Sequence, residues 1–314
     1  MRDPLPASGI TVVMTLILTG VLLPGCISQT RGPDRTSFNR AFPPGLSPEY
    51  PLSKLGPGSP ADPGAPAEVP LPGLDHAPFF SDQPLSRQLL PAGIERVTSR
   101  GVALTFFLFD DRNYEISVVD KEDGPESEWP SAGAAAKAHG ALAAINGGFF
   151  TPEGSPLGLV IENGKRIGSW NAVSSLTSGV LSVEKSPRIL RRRHWRSFSP
   201  TLHLVQAGPF LIENDIVVNG LSNREHSPRS FLVWNGRHHW AFGYSGKTTL
   251  SGLALALAAQ PLAKLNITTA LNLDGGRSSD LWVSPQVRGG PVSTRRSWNN
   301  RVRNYLLLHQ RPQS

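Results

Sequence analysis

Ala144-Ile145-Asn146-Gly147-Gly148-Phe149-Phe150 and Leu271-Asn272-Leu273-Asp274-Gly275-Gly276-Arg277-Ser278-Ser279 are built alike. In each, a short apolar run ends in an amide or carboxylate side chain, and two glycines follow at once. A run of that kind reads as a buried strand, so the polar residue falls at a sheet rim, where sites form. The glycines let the backbone approach a ligand closely and can turn successive N–H groups toward an anion. The same residues can equally make a tight turn that Asn or Asp caps. Two such segments in one chain, with several arginines, favour an anion site.

The sequence around them supplies the rest of a domain. Gly101–Phe109 and Tyr114–Val119 read as strands joined by the polar turn Asp110-Asp111-Arg112-Asn113. Pro130-Ser131 opens an alanine-rich helix that ends near His139-Gly140. Asn163-Gly164, Asn219-Gly220 and Asn235-Gly236 are hairpin pairs, because both positions tolerate positive φ. The last of these joins Phe231–Trp234 to Arg237–Tyr244, and His238-His239 should alternate across the second strand. Leu250–Leu265 reads as a buried helix that Pro261 kinks or ends, with apolar strands at Ala270–Leu273 and Val302–Leu308. This order predicts one α+β domain over residues 93–314, with a mixed, mainly antiparallel sheet and a few packed helices.

What precedes residue 93 reads differently. Ile10–Leu23 is an apolar run of 14 residues, shorter than the ~20 a membrane-spanning helix needs. It suits an export signal, and it leads into Pro24-Gly25-Cys26, which holds the chain's only cysteine. Residues 1–26 are therefore expected to be a lipoprotein-type signal peptide, with Cys26 as the lipidated residue. The folded domain then has no internal disulfide and depends on core packing. Ile27 rather than Asp after that cysteine favours an outer-membrane lipoprotein or a periplasmic location. Fourteen of the 29 prolines lie between Arg31 and Pro91, so residues 27–92 read as an extended tether with too little apolar surface to form a core.

The formal charge is +7, densest at Arg191-Arg192-Arg193-His194-Trp195-Arg196. Such a cluster attracts anionic substrates or an anionic envelope, or it is a solvated loop. No zinc-finger spacing, helix-turn-helix or RNP pattern accompanies it, so nucleic acid is not an expected partner. The histidines show no zinc-ligand spacing, and no carboxylate cluster demands a metal. No Gly-x-Ser-x-Gly segment supports a serine nucleophile.

In this order along the chain, the two glycine segments, Pro156–Lys165, Gln206-Ala207-Gly208-Pro209, Arg229-Ser230 and Arg301-Val302-x-Asn304 resemble the phosphodiester glycosidase family. The resemblance covers roughly Gly101–Leu308. It implies a hydrolase that cleaves a sugar-1-phosphodiester and exposes a phosphomonoester. The partner would be a phosphorylated glycan or sugar phosphodiester, with the membrane reached through the N-terminal lipid. Exported bacterial members of the family, some associated with extracellular polysaccharide, leave a second reading open. In that reading the chain is a non-catalytic glycan-binding or envelope-assembly lipoprotein on the same scaffold.

Hydrolysis of this kind needs a carboxylate at the anomeric carbon and donors for the departing phosphate. Asp274 is the foremost carboxylate, as general base, nucleophile or ligand of a divalent cation. Glu162 is a second candidate. Arg229 and Arg301 are the expected phosphate clamps, since a guanidinium matches two phosphate oxygens. Asn146, taken as catalytic, and the amides of Gly147 and Gly148 would orient substrate oxygens or bind a metal, while Gly275, Gly276 and the hydroxyls of Ser278 and Ser279 would bind substrate or phosphate. Arg277 would join or partly occlude the site, and His226 is the histidine placed to act as an acid.

Overall fold

The computed structural model describes residues 89–196 and 200–312; Cys26 and the segment read as leader and tether through residue 88 lie outside the described residues. The expected α+β domain proves to be mainly β. The described residues form 17 strands and two short α-helices, and every strand pairing is antiparallel, so the sheets are not mixed. The helix content was over-read because Leu250–Leu265 is helical only over Leu250–Ala258 (α2). The chain leaves the helix at Gln260, whose φ is +51°, before Pro261. The other helix, Ala132–Ala138 (α1), is capped by Ser131, whose hydroxyl accepts from the Ala134 amide.

Three sheets share the strands. A seven-stranded sheet has the order β1 (Gly93–Ser99), β2 (Val102–Asp110), β13 (His239–Thr248), β12 (Ser227–Trp234), β14 (Thr269–Asn272), β10 (Phe210–Glu213) and β11 (Ile216–Val217). A five-stranded sheet has the order β16 (Val292–Ser293), β15 (Leu281–Val283), β4 (Ala143–Asn146), β17 (Asn304–Gln310) and β3 (Tyr114–Asp120). A second five-stranded sheet has the order β6 (Lys165–Ile167), β5 (Val160–Glu162), β9 (His203–Ala207), β7 (Gly179–Val183) and β8 (Pro187–Arg191). Strands this short, set among turn residues, carry little periodicity, and β7, β8 and β11 have no clear signal in the sequence.

One core lies where the three sheets meet. Phe107, Phe109 and Leu232 enter it from the first sheet, Ile145 and Leu306 from the second, and Leu181 and Val205 from the third. The intervening residues of β2, Phe106 and Leu108, point to the other face and pack on Leu253 and Leu257 of α2. That two-sided burial explains the unbroken apolar run Phe106-Phe107-Leu108-Phe109. Helix α1 covers the outer face of the second sheet with Ala132, Ala135 and Ala136 against Ala144, Tyr305 and Leu307. Gly133 lies where a Cβ would stand 2.7 Å from the Trp282 ring, so the alanine-rich composition reflects a close approach of helix to sheet. No helix among the described residues is long and apolar enough to cross a membrane.

Three strand connections place two successive residues at positive φ, among them Arg100-Gly101 at +49° and +76° between β1 and β2. Asn163 and Gly164, at +47° and +81°, connect β5 to β6. Asn214 and Asp215, at +50° and +65°, connect β10 to β11 without a glycine. Asn219-Gly220, by contrast, joins no two strands. His238 lies in the β12–β13 turn and meets Asp111 at 2.7 Å, while His239 opens β13, so the two do not alternate on one strand.

Candidate active site

The strand β4 ends in Asn146 and the strand β14 runs into Asp274, in two different sheets. Their glycine turns meet. The Asp274 amide donates to the Gly147 carbonyl at 3.0 Å, and Asn146 Nδ2 donates to the Asp274 carbonyl at 2.7 Å. Asn146 also holds the far end of the second turn, because its Oδ1 accepts from the Asp280 amide at 3.0 Å. Its own amide donates to the Asp280 carbonyl at 3.1 Å. Residues 274–280 carry the chain from the first sheet to the second, and this one fully buried amide side chain ties both ends of that crossing. Asn146 is thus a positioning residue. Its replacement by Ala strands the Asp274 carbonyl and the Asp280 amide, and should lower stability by about 2–4 kcal/mol in urea unfolding, as expected for unsatisfied buried groups.

Asn304 fixes the first turn. Its carbonyl accepts from the Gly147 amide at 3.0 Å and its Oδ1 accepts from the Gly148 amide at 2.8 Å. A Cβ on Gly147 would stand 2.2 Å from Asn304 Oδ1, and one on Gly148 would stand 2.7 Å from the Gln206 carbonyl oxygen. These glycines are therefore required by close packing, and their amides are engaged inside the fold rather than presented to a ligand. Gln206 is likewise a brace: its Oε1 accepts from the Leu159 and Asn171 amides at 2.8 and 3.0 Å.

The second turn is more open. Asp274 is partly exposed, and a short 3₁₀ turn, Gly276–Ser278, follows it. Burial pushes its carboxyl up to about 6, against donation from the Ser278 hydroxyl and the Gly275 amide. Arg229, at the start of the β12 segment that pairs with β13, is buried beside the turn. A Cβ on Gly275 would lie 3.3 Å from its Nη1. Nε donates to the Thr248 carbonyl at 3.3 Å and Nη2 to the Glu225 carbonyl at 2.8 Å. Among the described residues no carboxylate pairs with this guanidinium, and burial lowers its pKa.

A cavity of about 260 Å³ opens against this turn. Gly276, Arg277, Ser279 and His226 all line it, together with Lys247, Tyr244 and Trp298. Burial raises the Tyr244 hydroxyl's pKa. Ser279 Oγ donates to the Pro228 carbonyl at 3.2 Å, and Arg277 Nε to the Trp298 carbonyl at 2.9 Å. Lys247 and Trp298 carried no motif, and only their place on β13 and in the loop before β17 brings them here.

Two expected site residues are placed elsewhere. Arg301 is half-exposed and reaches Glu126, its Nη1 donating to the Glu126 carbonyl at 2.5 Å; no contact among the described residues ties it to the Asp274 turn. In Arg301-Val302-Arg303-Asn304 it is Asn304 that serves the turns, and Arg303 that is buried, paired with Asp120 at 2.7 Å. Glu162 accepts from the Asp120 amide at 2.9 Å, also away from Asp274. Asp280, which the sequence did not single out, is 1% exposed and accepts from the Ala132 amide at 2.8 Å. No three His, Cys, Asp or Glu side chains among the described residues are placed to hold a metal ion.

On an antiparallel β scaffold, two glycine turns from different sheets thus meet, and the second carries the Asp274 carboxylate with the buried Arg229 guanidinium beside Gly275. Residues 139–309, more than half of the chain, match the sequence profile of the phosphodiester glycosidase family, and the chain belongs to that family. Its fold resembles the catalytic domain of zebrafish N-acetylglucosamine-1-phosphodiester alpha-N-acetylglucosaminidase, a structure auto-inhibited by its pro-peptide. The TM-score is 0.52 at 18% identity, covering 70% of this chain and 82% of the other. A hypothetical protein from Synechocystis aligns with a TM-score of 0.47 at 16% identity, covering 69% of this chain and 61% of the other. A comparison with curated protein sequences finds no match.

Proposed function

We propose that this chain is a hydrolase that cleaves a sugar-1-phosphodiester in an envelope or extracellular glycan, exported and held at the membrane by a lipid on Cys26. The observation that carries the reading is Asp274, poised near pH 6 in a turn that Asn146 locks against Gly147, beside a cavity rimmed by Lys247 and Arg277. Ordinary glycosidases need two carboxylates because the departing alcohol must be protonated. A departing phosphomonoester has its second pKa near ~6 and leaves as an anion, so cations can replace the acid. One carboxylate, ionised above pH 6, then suffices to activate water or to attack the anomeric carbon. Arg229 would receive the phosphate through Nη1, which makes no hydrogen bond among the described residues.

The second reading, a non-catalytic glycan binder, draws on the absence of an ion pair between Arg229 and Asp274 among the described residues. A panel of sugar-1-phosphodiesters and nucleotide sugars, with and without Ca²⁺ or Mg²⁺, separates the two. Mass spectrometry should detect free sugar and the matching phosphomonoester. A folded chain that binds members of the panel and releases no sugar under any condition supports the binder instead.

A further inference from the structure

The outer faces of the three sheets are covered differently. Helices α2 and α1 lie on the first two, whereas Leu159, Ile161, Val180 and Leu204 on the third are met by two tryptophans, Trp170 and Trp195. Their rings stack at 5.0 Å with 25° between planes, and the Trp195 indole N–H donates to Ser182 Oγ at 3.3 Å. Next to Trp195 the strand register sets Leu204, Ser182 and Arg188 in one row across β9, β7 and the edge strand β8. Ser182 and Arg188 of that row, with Trp195, line a groove of about 690 Å³.

The basic run that stood out in the sequence divides here. Arg191 pairs with Glu213 at 2.6 Å, and Arg192 donates to the Ser174 and Val173 carbonyls, so both are engaged in the fold. Arg196 faces the groove with Arg188 and Lys185, all three exposed. Among the described residues Arg196 donates to the carbonyls of Arg193 and Trp195, and none of the three forms an ion pair. Glu184 is the one acid in the lining.

We propose that this groove is a second binding site, for an anionic polysaccharide, which holds the polymer while the Asp274 turn acts on one of its links. The inference rests on the hydrolase reading for what the bound polymer is for. An indole fixed on one side by a second indole offers a rigid flat surface for a sugar ring, and the three cations match a chain with recurring negative charge. Strand β9 runs between the two regions: Leu202, just before it, borders the groove, and Gln206 backs Gly148 in the first turn, which meets the Asp274 turn. Leu202 and Gln206 are separated by ~13 Å along the extended chain. A lipid surface would call for a protruding apolar tip, whereas here the aromatic ring is recessed beside charges.

The test is affinity electrophoresis of the full chain through gels that contain a hexose polymer joined by 1-phosphodiesters, a neutral hexose polymer of equal length, or single-stranded DNA. Anionic lipid vesicles are assayed by co-sedimentation. The chain should be retarded by the phosphodiester polymer and not by the neutral one. The double variant Arg188→Glu, Arg196→Glu should bind the polymer about 10-fold more weakly, as reversal of two rim charges implies. Its release of sugar from a monomeric sugar-1-phosphodiester should be unchanged. Lys185→Glu gives an independent variant should the double one not fold. Equal retardation of variant and parent overturns the proposal, as does tighter binding to DNA or vesicles than to the polymer. If neither protein cleaves the monomer while the difference in retardation stands, the hydrolase reading fails and the groove is retained.

Discussion

Asp274→Asn should cut sugar release severely and at the same time make the protein harder to unfold above pH 6. Loss of a carboxylate that activates water or attacks carbon lowers kcat by about 10²–10⁴-fold. The amide keeps the shape of the side chain and still accepts from Ser278 and Gly275. The stability effect follows from the raised pKa. Below pH 3.8 the carboxyl is protonated both folded and unfolded, and it contributes nothing to the pH dependence. Between 3.8 and about 6 the unfolded chain releases the proton before the folded one does, so stability falls as pH rises through this window. Above it the full cost of a buried charge remains, on the order of 2–3 kcal/mol for a shift of about two units. Chemical denaturation at pH 4 and pH 8 should therefore show wild type and variant nearly equal at the lower pH. At pH 8 the variant should be the more stable.

Arg229→Met is the second large effect expected. The guanidinium is buried against Gly275, donates to two carbonyls and lacks a carboxylate partner among the described residues. A buried cation arranged in this way is costly to the fold unless an anion visits it. Its removal should lower kcat/KM by about 10²-fold, the scale for losing a charge-assisted clamp on a departing oxyanion. Inorganic phosphate gives a readout that does not involve turnover. Phosphate should raise the melting temperature of the wild type through linkage and leave that of Arg229→Met unmoved. Arg229→Lys keeps the charge without the planar fork and should fall between the two. Equal phosphate shifts in wild type and Met variant would remove Arg229 from the binding role.

The paired glycine segments were legible because their composition is dictated by contact. Gly147 and Gly148 admit no Cβ against Asn304 and Gln206, and the Asn146 amide both donates to Asp274 and accepts from Asp280. What the residue types could not reveal is direction. The amides of the first turn point inward to Asn304, so the two turns that look alike in sequence divide into a brace and an open turn. Arg301 and Arg303 are two residues apart and chemically identical, and only the pairing of β17 with β3 decides that Arg303 meets Asp120. The helix content was overstated for a related reason. An apolar stretch such as Leu250–Leu265 does not show where a cover over a sheet ends, and strands of two to five residues such as β7, β8 and β11 give too few positions for a period to register.

In the proposed hydrolysis Asp274 acts in its ionised form, and the pH dependence of kcat/KM on a sugar-1-phosphodiester tests that most directly. The expected profile rises with pH through a midpoint near 6, where Asp274 loses its proton, and this limb is missing from the residual activity of Asp274→Asn. A rate that falls through the same midpoint, or a rising limb that survives in the variant, would contradict the assignment of Asp274 as the group that attacks or activates water.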